Sequence, residues 1–101
     1  MARFLVTYHG SGMPSDPALM EQAKAAFAAW LASAGDAVVD PGAPVTLATQ
    51  VASGEPLAAV DVGGYSIVQA DDTEGAAAVL ASHPYVGRGG TLQVNQFIEL
   101  S

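Results

Sequence analysis

The sequence predicts an α+β domain whose elements follow one another in the order βαββαβ. Two observations lead to this prediction. Apolar segments rich in β-branched and aromatic residues alternate with two segments that carry helix-start signals, and glycine or proline residues separate most of them. Because the chain has 101 residues, we expect residues 1–101 to form a single domain with a small core.

The first strand and the first helix have the clearest local signals. Residues 3–8 (RFLVTY) predict the strand, and the glycines and proline of 9–14 predict a loop after it. Asp16 supplies a capping oxygen, Pro17 needs no amide partner at the first helical position, and Gly35 ends the helix. The apolar stripe at helical spacing consists of Leu19, Ala23, Phe27, Trp30, Leu31 and Ala34.

The middle of the chain predicts two extended segments. The second strand begins at 37–39, is interrupted by proline and glycine at 41–44, and resumes over 45–51, where apolar and polar residues alternate. After a turn, the third strand covers 57–69 or 60–69, with consecutive glycines that indicate a bulge or a close backbone approach.

The second helix and the last strand complete the order. Asp71 and Glu74 have the spacing of a capping box, and the helix runs through 76–82 until Pro84 ends it. The last strand covers 91–100. Two right-handed βαβ halves place both helices on one face of a four-stranded antiparallel sheet, which is the ferredoxin-like arrangement.

The composition predicts a homodimer. Half of the residues are hydrophobic and 13% are charged, which is more apolar material than one small core needs. Every predicted strand carries apolar residues on both of its faces, whereas the helices cover only one face of the sheet. We therefore expect a second copy of the chain to cover the other face.

The charge and the residue types exclude several classes of partner. The net charge is −7, and Arg3, Lys24 and Arg88 are the only cations, so we expect neither nucleic-acid nor anionic-membrane binding. With no cysteine and two histidines, no metal site and no cofactor are predicted. The apolar start of the chain is too short for a signal peptide, so we expect a cytoplasmic protein.

The second half of the chain resembles the YCII-related family of the dimeric α+β barrel superfamily. The residues that carry the resemblance are 63–70 (GGYSIVQA), 72–76 (DTEGA), 83–84 (HP) and 89–94 (GGTLQV). The resemblance implies a dimeric barrel with a cleft between sheet and helices, and, in some members, a histidine–aspartate pair for acid–base chemistry.

The sequence departs from that family where the chemistry would lie. The histidine expected on the first helix falls near Ala25 and Ala26, and His83 stands where the proposed catalytic members have aspartate. Residues 57–60 (LAAV) replace the DGPF segment of another subgroup. The resemblance therefore implies the fold more strongly than it implies the reaction.

Three residues are candidates for acid–base chemistry. His83 is predicted at a helix end, where the carbonyl groups favour the imidazolium and raise the pKa of the ring toward neutrality; alternatively, it only caps the helix. His9 follows the first strand in a loop, and is either functional or an exposed polar residue. Asp40 precedes proline and glycine, and is either a base or an ordinary turn residue.

Three further residues are candidates for ligand binding. Tyr8 and Tyr65 lie on predicted strands, where a hydroxyl can orient a ligand oxygen, although such tyrosines are also common in cores and interfaces. Arg88 lies among glycines and can hold an anionic group. Trp30 is interpreted as a core residue because it fits the helical stripe.

Two functions remain open. One is a non-catalytic small-ligand-binding or accessory protein with a degenerate acid–base site. The other is a small isomerase-like or lyase-like enzyme that transfers a proton on an organic substrate, using His83 with Asp40 or His9.

Overall fold

The computed structural model describes residues 1–10 and 14–100, and it has a four-stranded antiparallel sheet with helices. Residues 11–13 of the predicted loop lie outside the described residues. The strands are β1 (Ala2–His9), β2 (Val38–Pro44), β3 (Gly64–Ala70) and β4 (Thr91–Gln96), in the order β2-β3-β1-β4. The helices are α1 (Pro17–Ala34), α2 (Thr73–Ala81) and the short α3 (Pro84–Gly87). This confirms the α+β class and is compatible with the ferredoxin-like arrangement.

Local signals place helix α1 correctly. The Asp16 carboxylate accepts the amides of Ala18 at 2.8 Å and Leu19 at 3.3 Å, and Gly35 ends the helix with a φ of 56°. The predicted inward stripe is wrong only at its start, because the side chain of Leu19 is 50% exposed. A short 3₁₀ turn, Gly35–Ala37, leads into β2.

The second helical region differs from the prediction in its caps. Asp72, rather than Asp71, caps α2, because its carboxylate accepts the Gly75 amide at 2.8 Å. Pro84 does not simply end that helix: it is the first residue of α3, for which His83 is the N-cap. His83 thus lies at the start of one helix rather than in the last turn of another.

Strand β2 contains the turn-like residues that were expected to interrupt it. The Asp40 carboxylate accepts the Gly42 amide at 2.8 Å, and the pairing with β3 shifts register on both sides of Asp40. Gly42 has a φ of 75°, and a side chain there would collide with the Tyr65 carbonyl. The bulged strand therefore requires glycine at this position.

The predicted strand over 45–51 is wrong. Residues 45–63, here called the 45–63 arm, contain no helix or strand, and the arm closes at its base where the Val45 amide donates to the Gly63 carbonyl at 3.1 Å. Residues 57–63 likewise do not belong to β3, and residues 97–100 do not belong to β4. Alternation makes a strand only where a neighbouring strand continues the ladder of hydrogen bonds. The ladder of β2 with β3 ends at Pro44 and Gly64, and that of β4 with β1 ends at Gln96 and Phe4.

One face of the sheet packs against the helices. The buried cluster consists of Phe4, Val6, Trp30, Val68, Ala70, Ala76 and Leu80. The expectation that Trp30 is a core residue is confirmed: its side chain is 5% exposed, and its Nε1–H donates to the Val79 carbonyl at 3.2 Å.

The opposite face of the sheet is apolar at its centre and polar along β4. Leu5 of β1 and Ile67 of β3 are paired there, and both are half-buried. At the edge, β4 presents Gln93 and Asn95 on the same face, which follows from their pairing with Thr7 and Leu5. The expectation of apolar residues on both faces of every strand is therefore wrong for β4.

Candidate functional site

A cavity of about 220 Å³ lies between one end of the sheet and helices α1 and α3. Tyr8, at the end of β1, and His83 and Tyr85, around the start of α3, line it. Phe27 lines it from α1, and Gly64 lines it from the start of β3. The cavity is thus enclosed mainly by aromatic rings and backbone.

The walls of the cavity follow from the alternation of side chains along β1 and from close contacts of the backbone. Tyr8 shares the helix-facing side of β1 with Phe4 and Val6 because side chains alternate along a strand. The Gly63 amide donates to the Tyr8 carbonyl at 2.7 Å, which brings the base of the 45–63 arm against β1. A side chain at Gly90 would collide with the Tyr85 ring, so glycine there leaves room for that aromatic wall.

The polar atoms at the inner end of the cavity form one hydrogen-bonded chain. The Tyr85 amide donates to His83 Nδ1 at 3.0 Å, and His83 Nε2 lies 2.8 Å from the Tyr8 hydroxyl. That hydroxyl lies 2.8 Å from Ser66 Oγ, which donates to the Pro41 carbonyl at 2.8 Å. Neither His83, 2% exposed, nor Ser66, fully buried, faces bulk water.

The two ends of this chain determine the position of every proton in it. A backbone amide can only donate and a carbonyl can only accept. His83 Nδ1 is therefore unprotonated, so the neutral ring carries its proton on Nε2 and donates it to the Tyr8 hydroxyl. Tyr8 in turn donates to Ser66. All of these hydrogen bonds form only when His83 is neutral, because an imidazolium could not accept the bond from the Tyr85 amide.

Electrostatics favour the same protonation state. Burial, followed by the positive charge of Arg88, lowers the pKa of His83 from 6.5 to about 4. This corrects the expectation that a helix C-terminus raises that pKa: His83 caps the N-terminus of α3, where a cation is disfavoured. Burial also raises the pKa of Tyr8, and the Ser66 hydroxyl, which could stabilise a phenolate at this position, opposes that rise.

Aromatic contacts hold the imidazole on several sides. The Trp30 ring centre lies 4.4 Å from that of His83, and the Phe27 ring centre lies 5.5 Å away. Tyr8 packs edge-on against His83 at 5.2 Å and against Tyr85 at 5.1 Å. These contacts keep the ring in a single orientation beside the cavity.

Four of the six candidate residues line this cavity, and two do not. Tyr8, Tyr65, His83 and Arg88 contribute to its walls. Asp40 accepts the Gly42 amide and is used in the bulge of β2. His9 points elsewhere: its Nδ1–H donates to the Asp61 carbonyl at 2.9 Å, and Nε2 lies 2.7 Å from the Thr7 hydroxyl. The structure therefore does not assemble the pairs of His83 with Asp40 or His9.

Sequence reasoning missed several residues of the site. The sequence pattern places Phe27 only in the helical stripe and indicates no role for Ser66 or Tyr85. The alternation of β3 could have placed Ser66 on the face of Val68, beside Tyr8. No local pattern indicates that Tyr85 turns toward the cavity, because this depends on how α3 packs against α1.

The described ranges, 1–10 and 14–100, contain no group of three or more histidine, aspartate or glutamate residues placed to hold a metal ion. None of the helices in those ranges is both long enough and apolar enough to cross a membrane. No protein-family model matches the chain, and searches of the curated proteins and of the solved structures found no match.

Proposed function

We propose that this chain is a YCII-like small-ligand-binding or accessory protein with a degenerate acid–base site, and that its ligand occupies the cavity beside Tyr8 and His83. The observation that carries this proposal is the closed hydrogen-bonded chain behind aromatic walls. Its polar atoms satisfy one another, so the cavity offers a preformed apolar space rather than reactive groups.

The same chain of hydrogen bonds is evidence against proton transfer by His83. A general base needs a lone pair directed at the substrate, whereas Nδ1 accepts the Tyr85 amide and Nε2 carries a proton bonded to Tyr8. The enzyme alternative also lacks its second member, since neither Asp40 nor His9 lines the cavity. Ligand binding is therefore the better-supported function.

The size of the cavity suits a ligand built around a single ring. A closed apolar cavity of about 150 Å³ accommodates benzene, and this one measures about 220 Å³. Phe27 and Tyr85 offer ring faces and edges for packing against an aromatic or alicyclic body.

We expect toluene to bind in this cavity and to shift the NMR amide signals of Gly63 and Gly64. It should also change the fluorescence of Trp30, the single tryptophan, whose ring contacts His83. Ala23→Leu should abolish both effects, because Ala23 is 7% exposed and lines the cavity. Ala26→Leu makes the same change on the exposed side of α1 and should leave binding intact. Toluene binding that is equal in both variants would place the ligand elsewhere.

A homodimer with the architecture of a dimeric α+β barrel belongs to the same proposal. The central pair Leu5 and Ile67 supports it, as do the apolar side chains of the 45–63 arm, among which Leu57 is 88% and Val51 is 95% exposed. Apolar surface of this kind is normally covered by a partner. A second copy is the simplest partner for a chain of this size.

Sedimentation equilibrium at micromolar concentration is expected to give twice the chain mass of 10.2 kDa. Ile67→Glu should shift the protein to the single-chain mass, because it puts a charge at the centre of the open sheet face. Ala78→Glu adds the same charge on the exposed side of α2 and should leave the dimer intact. A single-chain mass for the unaltered protein would refute the dimer.

A further inference from the structure

We infer that the ligand is an amphipathic anion: an apolar ring that enters the cavity and a carboxylate, or a similar small anionic group, that stays at its mouth beside Arg88 and Lys24. This inference rests on the proposed binding function and adds the chemical class of the ligand.

Positive charge is concentrated at the cavity. The chain has ten acidic residues and three cations, yet two of those cations, Lys24 and Arg88, line the cavity. All ten acidic residues belong to the described part of the chain, and none of them lines the cavity. The mouth of the cavity is thus locally positive on a protein whose net charge is −7, and this local field favours an anion.

The interior of the cavity has no place for a charged group. Tyr8, His83 and Ser66 are bonded to one another, and the Tyr85 hydroxyl donates to the Gly10 carbonyl at 3.0 Å. A carboxylate buried among these groups would lack donors, and burying an unpaired charge is strongly unfavourable. The apolar body of the ligand therefore belongs inside, and its charge belongs at the mouth.

The two cations differ in their surroundings. Lys24 lies 3.4 Å from the Glu21 carboxylate, but both side chains are largely exposed, at 67% and 75%, so this pair is weak and leaves Lys24 able to respond to a ligand. Arg88 follows α3, and its amide donates to the Pro84 carbonyl at 3.1 Å. Arg88 is exposed and lines the cavity, and its guanidinium can bind both oxygens of a carboxylate. Arg88 is therefore the main candidate for contact with the anion.

The carboxylate nearest to the cavity along the chain does not oppose this assignment. Asp40 accepts the amide of Gly42, a lining residue, and remains within the bulge of β2. Its hydrogen bond is made to its own turn, and Asp40 does not line the cavity, so its carboxylate is not positioned to contact the ligand.

The test compares benzoate with benzamide, a neutral molecule of nearly the same shape, at pH 7 in low salt. The readouts are the Gly63 and Gly64 amide signals and the Trp30 fluorescence. Benzoate should bind roughly fivefold more tightly, the ratio expected for one exposed ion pair. Arg88→Gln should bring the two affinities close together, and Lys24→Gln should reduce the ratio less. Salt at about 0.5 M should also reduce it.

Arg3→Gln is the matched control. It removes the same charge, but Arg3 lies over the Phe97 ring, 5.2 Å from its centre, and does not line the cavity, so the preference for benzoate should persist. Equal affinities of the unaltered protein for benzoate and benzamide would overturn the anion inference while leaving ligand binding in place. Loss of the preference in Arg3→Gln as well would also overturn it. If benzamide, benzoate and toluene all fail to bind, the proposed function itself is wrong.

Discussion

Trp30→Ala is expected to lower the free energy of unfolding by about 3–5 kcal/mol, the range for large aromatic residues removed from a core. The Trp30 side chain is 5% exposed and connects α1 to α2 through its bond to the Val79 carbonyl. It also packs on the rings of Phe27, at 5.9 Å, and His83, at 4.4 Å. The alanine would leave a void beside all three. Chemical denaturation followed by far-UV circular dichroism measures the loss.

Two further variants separate the contributions of Trp30. Trp30→Phe keeps an aromatic ring but removes the N–H group, and should cost less than the alanine, because a single hydrogen bond is worth about 1 kcal/mol. Leu57→Ala removes an apolar side chain that is 88% exposed, and should change stability by less than about 0.5 kcal/mol. A loss below about 1 kcal/mol for Trp30→Ala would mean that this side chain does not hold the core together.

Acidification is expected to destabilise the protein through His83 by roughly 3 kcal/mol, since each unit of pKa difference is worth about 1.4 kcal/mol. The pKa of His83 is about 4 in the folded chain, against 6.5 for an ordinary histidine. Between these values the unfolded chain binds a proton that the folded chain does not. The His83 contribution is therefore complete above pH 6.5, is lost progressively as the pH falls, and is gone below about pH 4.

The groups that face His83 support this direction. Arg88 is a cation that opposes the imidazolium, and Tyr8, whose pKa is raised by burial, stays neutral across this range of pH. Protonation of His83 would also break the bond from the Tyr85 amide to Nδ1. On unfolding, the imidazolium becomes exposed to water and the Tyr85 amide can donate to water instead. Both effects therefore favour unfolding in acid.

Stability measured from pH 7 to pH 4 tests the assignment. His83→Asn keeps a side chain that can cap α3 and should flatten the curve in this range. Histidine NMR titration provides a direct check, because His83 should show a pKa near 4 and a proton on Nε2 at pH 7. A His83 signal that titrates near pH 6.5 would contradict both the burial and the hydrogen-bonded chain.

The elements that the sequence predicts correctly depend on interactions between residues that are close together in the chain. Asp16, Pro17 and Gly35 determine both ends of α1 through backbone groups within a few residues. The alternation in β1 likewise determines that Phe4, Val6 and Tyr8 share one face. Each of these features needs only neighbouring residues and the geometry of a helix or strand, so it can be read before any tertiary contact is known.

The errors occur where the outcome depends on distant neighbours. Residues 45–51 have the alternation of a strand, but the pairing of β2 with β3 ends at Pro44 and Gly64, so this segment lies outside the sheet. The Asp40 carboxylate accepts the amide of Gly42, two residues on, which is the turn alternative already open from the sequence rather than the base. The alternation at 45–51 was real, but the rest of the sheet determined its use.

The sequence by itself determined the α+β class, the limits of α1, and which cations and histidines exist to form a site. Only the tertiary structure decided that Tyr8 from β1, Ser66 from β3 and His83 before α3 join in one hydrogen-bonded chain. The physical reason is that Tyr8 and His83 are 75 residues apart in the chain. Their contact, and the protonation state it imposes on His83, follow from the packing of the helices on the sheet and from burial, which no local pattern encodes.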